Sequence, residues 1–487
     1  MKERIKPYPK YKDSGVPWLG DVPEHWDTIR LGHLGRFFKG NGGSKADENI
    51  SGVPCIRYGD LYTQYEFFIR KTRSFVTEGR AESYTRIQFG DVLFAASGET
   101  FEDIGRSAVN LLESDARCGG DIVVFRCSRS FVPEYLGYAC DSHGAKAEKA
   151  RMGRGFTVIH IYSGDLKTLT VAVPSVVEQG SIVHFLNHAD ARIRRFIRAK
   201  RTLIDLLEEE KQAIVHRGIT RGYHLNVRLK PSGVPWLGDV PEDREIVRLG
   251  RLVELTTGFP FKSQGFTQSP DDIRLLRGIN VSTGEVRWNN VVRWPSSEAA
   301  AFSDYQLRVG DIVLGMDRPL IRGGIRVARI QENDLPSLLL QRVGRIRARE
   351  GISTDFLMLL LAGASFSNYL RPIFTGISVP HLSPEQIKAF QFALPKLQEQ
   401  EEIVGRLAQE TARVQTAIAR THREISLLRE YTTRLISDVV TGKLDVRQAA
   451  AKLPEEIPET ETLDEIDDLA QDDLAADADE AEAVEEA

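Results

Sequence analysis

Eleven residues of this chain occur twice. Ser14 to Glu24 reads Ser-Gly-Val-Pro-Trp-Leu-Gly-Asp-Val-Pro-Glu, and Ser232 to Glu242 reads the same at an offset of 218. A repeat that long, containing a Trp and two Pro, does not arise from composition. It makes the chain two copies of one unit, so the fold must be something that can be built twice in tandem. With 487 residues the chain is too long for a single core and suits two or three domains.

The correspondence continues past the identical segment. Phe89-Gly-Asp-Val-Leu-Phe94 precedes Val309-Gly-Asp-Ile-Val-Leu314 by 220 residues. Gly155 to His160 matches Gly376 to His381 at 221, and Val173-Pro-Ser-Val-Val-Glu-Gln179 matches Leu394-Pro-Lys-Leu-Gln-Glu-Gln400 at 221. Each half therefore keeps one length and one order of elements. Between these anchors, roughly over 25–176 and 243–397, the copies diverge. These segments carry short β-rich phrases with Gly, Pro and aromatic punctuation, which predicts mixed α+β domains. A frame held constant around a changed middle is how two copies come to recognise different things.

Each copy ends in a long helical pattern. Apolar residues fall at Ile182, Leu186, Ala189, Ile193, Phe196, Leu203, Leu207 and Ile214, and in the second copy at Ile403, Leu407, Val414, Ala417, Leu428, Tyr431 and Leu435. Steps of four and three define a heptad seam. Ile182, Leu186, Ile193, Leu207 and Ile214 fall in register with Ile403, Leu407, Val414, Leu428 and Leu435. Each run is about 35 residues, or ~50 Å as a helix. The two helices either pair with each other or lie singly on their own domains; their length, against a mean of about 11–12 residues, favours pairing. Lys200 and Thr421 occupy matching seam positions as a polar break that fixes register.

Net charge is −5, but 453–487 holds sixteen Asp and Glu and no Lys or Arg. Without that segment the remainder carries +11, mildly basic and suited to a polyanion such as nucleic acid. The segment itself is acidic, Ala-rich and free of aromatics, which predicts disorder. No apolar run follows a basic start, and the longest, Phe356 to Ala364, is well short of the ~20 residues that cross a bilayer. Cys55, Cys118, Cys127 and Cys140 match no zinc or redox spacing and read as reduced thiols of a cytoplasmic protein.

Catalytic signatures are missing. There is no GxxxxGK[ST], since Thr441-Gly-Lys443 lacks the preceding glycine, and no Gly-rich dinucleotide fingerprint follows a strand. Gly40-Asn-Gly-Gly43 becomes Gly258-Phe-Pro-Phe261 in the second copy, a change a phosphate cradle would not tolerate. No Asn/Asp-Pro-Pro-aromatic methyltransferase signature and no carboxylate–Lys nuclease motif stands out. His160 and His381 match each other and read as structural.

Taken together, Val16-Pro-Trp-Leu-Gly20 with Val22-Pro-Glu24, the Gly90-Asp91 and Gly310-Asp311 phrases, Pro174…Glu178-Gln179 with Pro395…Glu399-Gln400, and the paired heptads resemble the specificity subunit of type I restriction–modification systems. The resemblance covers residues 1 to about 447 and rests on order, spacing and duplication. His25-Trp26 becomes Asp243-Arg244 in the second copy, and the acidic tail is extra.

The resemblance implies an α+β fold of two tandem target-recognition domains, 1–176 and 223–397. Each is followed by a conserved spacer helix, 177–222 and 398–447, the two pairing as an antiparallel coiled coil, with an acidic disordered tail at 448–487. It implies a non-catalytic subunit that binds a bipartite, asymmetric double-stranded DNA site. Two methyltransferase subunits would bring S-adenosylmethionine, restriction–translocase subunits would use ATP and Mg2+, and this chain would bind no cofactor, metal or membrane. The alternatives are a stand-alone duplicated DNA-modifying enzyme and a protein-binding scaffold without a DNA role.

Phosphate contact calls for exposed Lys and Arg, and base readout for Arg, Asn or Gln beside Tyr or Ser. The candidates in the first copy are Lys39, Lys45, Arg57, Tyr58, Lys71, Arg73, Arg151 and Arg154. In the second they are Lys262, Arg277, Asn280, Arg318, Arg322 and Arg326. For each, the competing reading is a solvated surface charge. Arg318 to Arg326, three arginines around Gly323-Gly324, form the densest cluster.

Overall fold

The computed structural model describes residues 5–43, 47–223, 227–321, 324–374 and 380–456. The acidic tail from residue 457 onward, expected to be disordered, lies outside the described residues. The described chain forms two compact units, one of 5–201 with 422–456, the other of 202–421. Each unit thus takes part of both long helices.

Identical sequence gives identical local structure. In the first copy Tyr11–Asp13 pairs antiparallel with Asp21–Pro23, and in the second Leu229–Pro231 pairs with Asp239–Pro241. Ser14 and Ser232 each accept the backbone N–H two residues on, from Val16 and Val234, at 3.1 Å. Gly15 and Gly20, like Gly233 and Gly238, have φ between 63° and 69°, a region that costs a residue with a Cβ about 1–2 kcal/mol. The loop turns inward on Leu19 and Val22, or Leu237 and Val240, all buried.

The next strand closes each half. Asp27–Arg30 pairs antiparallel with Thr170–Val173, which leads into the first long helix. Glu245–Arg248 pairs in the same way with Gln391–Leu394, ahead of the second. Inside each closure lies one central sheet. Its strand order in the first unit is Gly35–Lys39, Ile122–Cys127, Val92–Ala95, Ser107–Asn110 and Phe68–Ile69. In the second unit it is Val253–Thr257, Val343–Ala348, Ile312–Gly315 and Val327–Arg329. The first four positions match at offsets of 218 to 221.

The repeated Gly-Asp phrase now has a physical reason. Asp91, 1% exposed, accepts Arg126 Nε and Nη2 at 2.7 and 2.6 Å and the Gln88 N–H at 2.8 Å. Asp311 accepts Arg347 Nε and Nη2 at 2.6 and 2.9 Å and the Arg308 N–H at 2.9 Å. A carboxylate that caps the turn and grips the neighbouring strand's guanidinium through two bonds is hard to replace, so the pair survives where the surrounding sequence does not.

The long helices span Val176–Arg221 and Leu397–Val440, and they contact each other. Within the first unit Lys200 ion-pairs with Glu424, and Glu178, at the start of the first helix, lies 3.7 Å from Arg447, just beyond the end of the second. Going forward on one is going back on the other. Within the second unit Gly218 lies against Leu407, and Arg217 approaches Glu410 at 4.0 Å. The second helix stops where Gly442, at φ +77, turns the chain and Lys443 N–H returns to the Asp438 carbonyl.

Ile182, Leu186, Ile193, Ile403, Leu407, Val414 and Leu435 are buried as the seam requires. Leu207, Ile214 and Leu428 are only partly covered. The expectation fails at Phe196, Leu203 and Tyr431, which are 48%, 44% and 55% exposed. The burial runs instead through Val215 and Ile219 on the first helix, and through Thr411, Ile418, Thr421 and Ile425 on the second. A straight helix turns by ~20° per heptad relative to a strict seven-residue repeat, so the buried line leaves the heptad positions. Thr421 keeps its polar place by donating Oγ1–H to the Ala417 carbonyl at 2.8 Å.

His216 on the first helix is half-buried, with Nδ1 3.2 Å from Ser365 Oγ, and burial holds its pKa below the usual 6.5. The unfolded chain then binds a proton that the folded chain refuses, so His216 withdraws stability as pH falls through the unfolded value of about 6.5. Between pH 7.5 and 6, wild-type stability should fall more than that of His216→Asn. Parallel slopes in urea titrations at the two pH values would show that His216 does not titrate in this way.

Candidate nucleic-acid interface

The two copies build one turn at matching places. The Arg57 N–H donates to Asp60 Oδ2 at 2.8 Å, and the Arg277 N–H, 220 residues on, donates to Asn280 Oδ1 at 3.1 Å. The Arg57 guanidinium reaches Glu48 at 2.7 Å, while that of Arg277 donates to the Asn290 carbonyl. Burial lowers the pKa of Arg277. Tyr58, beside Arg57, is 44% exposed.

Asn280 departs from the sequence reading. It is 1% exposed, and its amide donates to the carbonyls of Arg287 and Asn289 at 3.0 and 2.9 Å while accepting the Arg277 N–H. With those bonds made inside the fold, Asn280 shapes the Arg277 turn and presents no free edge to a base. Asn280→Ala should cost about 1–3 kcal/mol through the polar groups it strands, and urea unfolding that matches wild type would show those bonds to be dispensable. Arg326 packs beneath the same turn, half-buried, with Nη1 3.5 Å from the Gly278 carbonyl. The fold thus gathers Arg277, Asn280 and Arg326 around Gly278.

Arg318 is exposed and sits apart from that group in a left-handed conformation, φ +43. Its N–H donates to the Pro380 carbonyl at 2.8 Å. Beside it Asp317 holds His381 Nδ1 at 2.6 Å and Arg342 at 2.8 Å. The matching His160 holds Ser97 Oγ at 3.0 Å. Sequence reasoning set both histidines aside as structural, and its signal for more was the shared offset: residues 97 and 317 are 220 apart and each partners the histidine of its own copy. Lys45 and Arg322 lie outside the described residues, so the three-arginine cluster is described only at its two ends.

The remaining candidates stand at the surface. Lys39 ends the strand Gly35–Lys39, Lys71 and Arg73 precede Phe75–Val76, and Lys262 precedes the short turn Ser263–Gly265. Arg151 pairs with Glu148 at 3.3 Å and Arg154 with Asp165 at 2.9 Å. Between them and His160 runs a tight hairpin whose Gly155, φ +140, has the Val158 carbonyl 2.0 Å from where a Cβ would stand. Phe156 at its tip is wholly exposed. Sequence reasoning passed over Phe156, because nothing in the phrase distinguishes a projecting aromatic from a packed one.

Chemically these cations can hold a phosphate or a base edge. Burial pushes the thiols of Cys55 and Cys140 up to about 12, far from the nucleophilic thiolate. Among the described residues no three His, Cys, Asp or Glu side chains converge to hold a metal ion. No single described helix is long and apolar enough to cross a membrane. Phe356, Leu357, Leu360 and Leu361, in the most apolar stretch, are core residues.

A duplicated α+β frame with diverged middles and two long helices in contact defines a class of tandem recognition protein. Residues 241–425 match the family model described as the type I restriction modification DNA specificity domain. The type I restriction enzyme MjaVIII specificity subunit of Methanocaldococcus jannaschii is 24% identical over 435 residues, 88% of this chain and 94% of that one. The EcoAI specificity subunit of Escherichia coli is 32% identical over 206 residues, 42% of this chain and 34% of its own. Among solved structures, a chain from work on complex assembly and conformational transition of the type I R-M system superposes with a TM-score of 0.60 at 16% identity. That superposition covers 87% of this chain and 99% of the other, and shows a shared fold. Residues 241–425 thus match a type I restriction modification DNA specificity domain, and the chain over most of its length is similar to type I restriction enzyme specificity subunits.

Proposed function

We propose that this chain is the non-catalytic, DNA-reading subunit of a type I restriction–modification complex, in which each copy forms a target-recognition domain. One observation carries the reading: the two copies keep the same loop, the same closing strands and the same Asp–Arg fork, yet offer different side chains between them. Arg57 with Tyr58 in one copy becomes Arg277 with Gly278 in the other. One platform with two faces suits a bipartite, asymmetric site, read where all four base pairs are distinguishable in the major groove.

The two helices, paired antiparallel as a coiled coil, would act as a spacer that fixes the gap between half-sites. Methyltransferase subunits, two by the pseudo-symmetry of the copies, would bring S-adenosylmethionine and methylate adenine. Restriction–translocase subunits would bring ATP and Mg2+. The domains proposed are 1–176, 177–222, 223–397, 398–447 and the tail, and the place of action is the cytoplasm. The exposed candidates Lys39, Arg73, Lys262 and Arg318 suit phosphates, so their loss should weaken binding across sequences and reduce the salt dependence.

Co-expression with cognate methyltransferase subunits, followed by methylome sequencing, tests this. One bipartite methyladenine motif should appear and vanish when this chain is left out. Methyl transfer by the purified chain alone, or a motif that does not need it, would overturn the proposal.

A further inference from the structure

The first long helix differs from the second along one face. His184, His188, Arg192, Arg195 and Phe196 follow steps of four and three and so share a side, and Arg198 and Arg201 extend the charge. At matching offsets of 221 the second helix has Gly405, Gln409, Arg413, Thr416, Ala417, Ala419 and His422. Of these positions the second helix keeps a basic side chain only at Arg413 and His422, so the matching face is less densely charged.

The face is also where the described chain ends. After the second helix the chain forms the short helix Arg447–Ala450 and returns to the first helix, where His188 Nε2–H donates to the Pro454 carbonyl at 2.9 Å. Glu455 and Glu456 follow at once. Arg192 and Arg195 are exposed along the same face, and Arg192 rests against the ring of Phe196 at 5.8 Å, itself 48% exposed. The 31 residues still to come, 457–487, carry fourteen carboxylates and no cation. Leu463, Ile466 and Leu469 recur at every third position among them. From His188 to Arg201 is thirteen residues, or ~20 Å of helix, well within the ~30 Å that nine extended residues span.

We infer that the acidic segment 457–487 docks in cis on this basic face of the first long helix, its carboxylates against Arg192, Arg195, Arg198 and Arg201 and its leucines beside Phe196. Sequence complementarity, the anchored Pro454 and the denser charge of this face on the first helix are three separate reasons for it. The docked segment keeps that face from other polyanions until something displaces it. The inference does not depend on the DNA-reading proposal.

A fluorescein-labelled peptide of residues 457–487, read by anisotropy at low salt, tests it on the full chain. The native chain is compared with one whose fourteen tail Asp and Glu are changed to Asn and Gln. A tethered segment competes at an effective concentration near millimolar, so the native chain should bind the peptide about tenfold more weakly than the neutralised one. Adding Arg192→Glu, Arg195→Glu and Arg198→Glu to the neutralised chain should abolish binding while circular dichroism stays unchanged. Equal binding by native and neutralised chains would overturn the inference, as would binding that survives the three reversals.

Discussion

A chain whose first variable segment, 25–176, is replaced by its second, 243–397, is expected to direct methylation to an inverted repeat of one half-site. The shared frame alone leads to this outcome. Both segments start after the same loop, close with the same antiparallel strand pair and lead into a long helix, so the transplanted segment meets a matching foundation. The Asp311–Arg347 fork travels inside the segment, as does the turn at Arg277. On the proposed antiparallel spacer, two equal readers would face the duplex in opposite senses and read a palindromic pair. Methylome sequencing reads the outcome directly, with cooperative unfolding of the purified chimera as the control. A motif that keeps two unlike halves would show that recognition is not carried by 25–176 and 243–397.

The largest stability effect should come from Lys149. Its ammonium is fully buried and donates to the Gly105 carbonyl at 2.6 Å, to Ser107 Oγ at 3.2 Å and to Asp141 Oδ1 at 2.9 Å. Asp141 Oδ1 also accepts the Ser107 N–H at 3.0 Å. Desolvation lowers the Lys149 pKa and the Asp141 carboxylate works against it. Lys149→Ala removes the buried one of two ammonium partners of Asp141, leaving the partly exposed Lys146 at 3.1 Å, and leaves a cavity beside the Phe94 ring, 5.4 Å from the ammonium. A loss of about 3–5 kcal/mol is expected. The second copy suggests the remedy. At the matching offsets it has Val327, Ala362 and Leu370 in place of Ser107, Asp141 and Lys149, and Val327 and Leu370 are fully buried. Ser107→Val, Asp141→Ala and Lys149→Leu together should therefore restore most of what Lys149→Ala removes, because packed apolar groups need no ionic partner. Calorimetric unfolding decides it: a triple variant as unstable as the single one would mean that the first copy cannot accept the second copy's packing.

What the sequence made legible was whatever occurred twice. The repeated loop, the Gly-Asp turn and the two helices were all visible as pairs, because duplication turns a weak phrase into a strong one. The arginines that grip Asp91 and Asp311 were not visible, since Arg126 and Arg347 lie 35 and 36 residues downstream and only strand pairing brings them back. Heptad counting placed most seam residues but put Phe196, Leu203 and Tyr431 inside, because it cannot sense the gradual rotation of a straight helix. In the candidate interface, residue type pointed to Arg277 and Asn280 together. Burial then separated them: the asparagine spends its amide on the backbone, and only the arginine keeps unbonded N–H capacity. The Lys149–Asp141 pair gave no signal, as a lysine in an alanine-rich helix reads as solvated.

The strand pairs that close each half have one further consequence. Asp27–Arg30 against Thr170–Val173, and Glu245–Arg248 against Gln391–Leu394, hold the two ends of each long intervening stretch one strand spacing apart. Closing a flexible stretch costs free energy that grows only with the logarithm of its length, about 0.6 kcal/mol per doubling. Once those ends are fastened, insertions and deletions between them hardly disturb the helix below. Such a protein can accept readers of very different size by recombination and fold at the first attempt, so natural variation should fall in length as freely as in sequence between these strands and almost nowhere else.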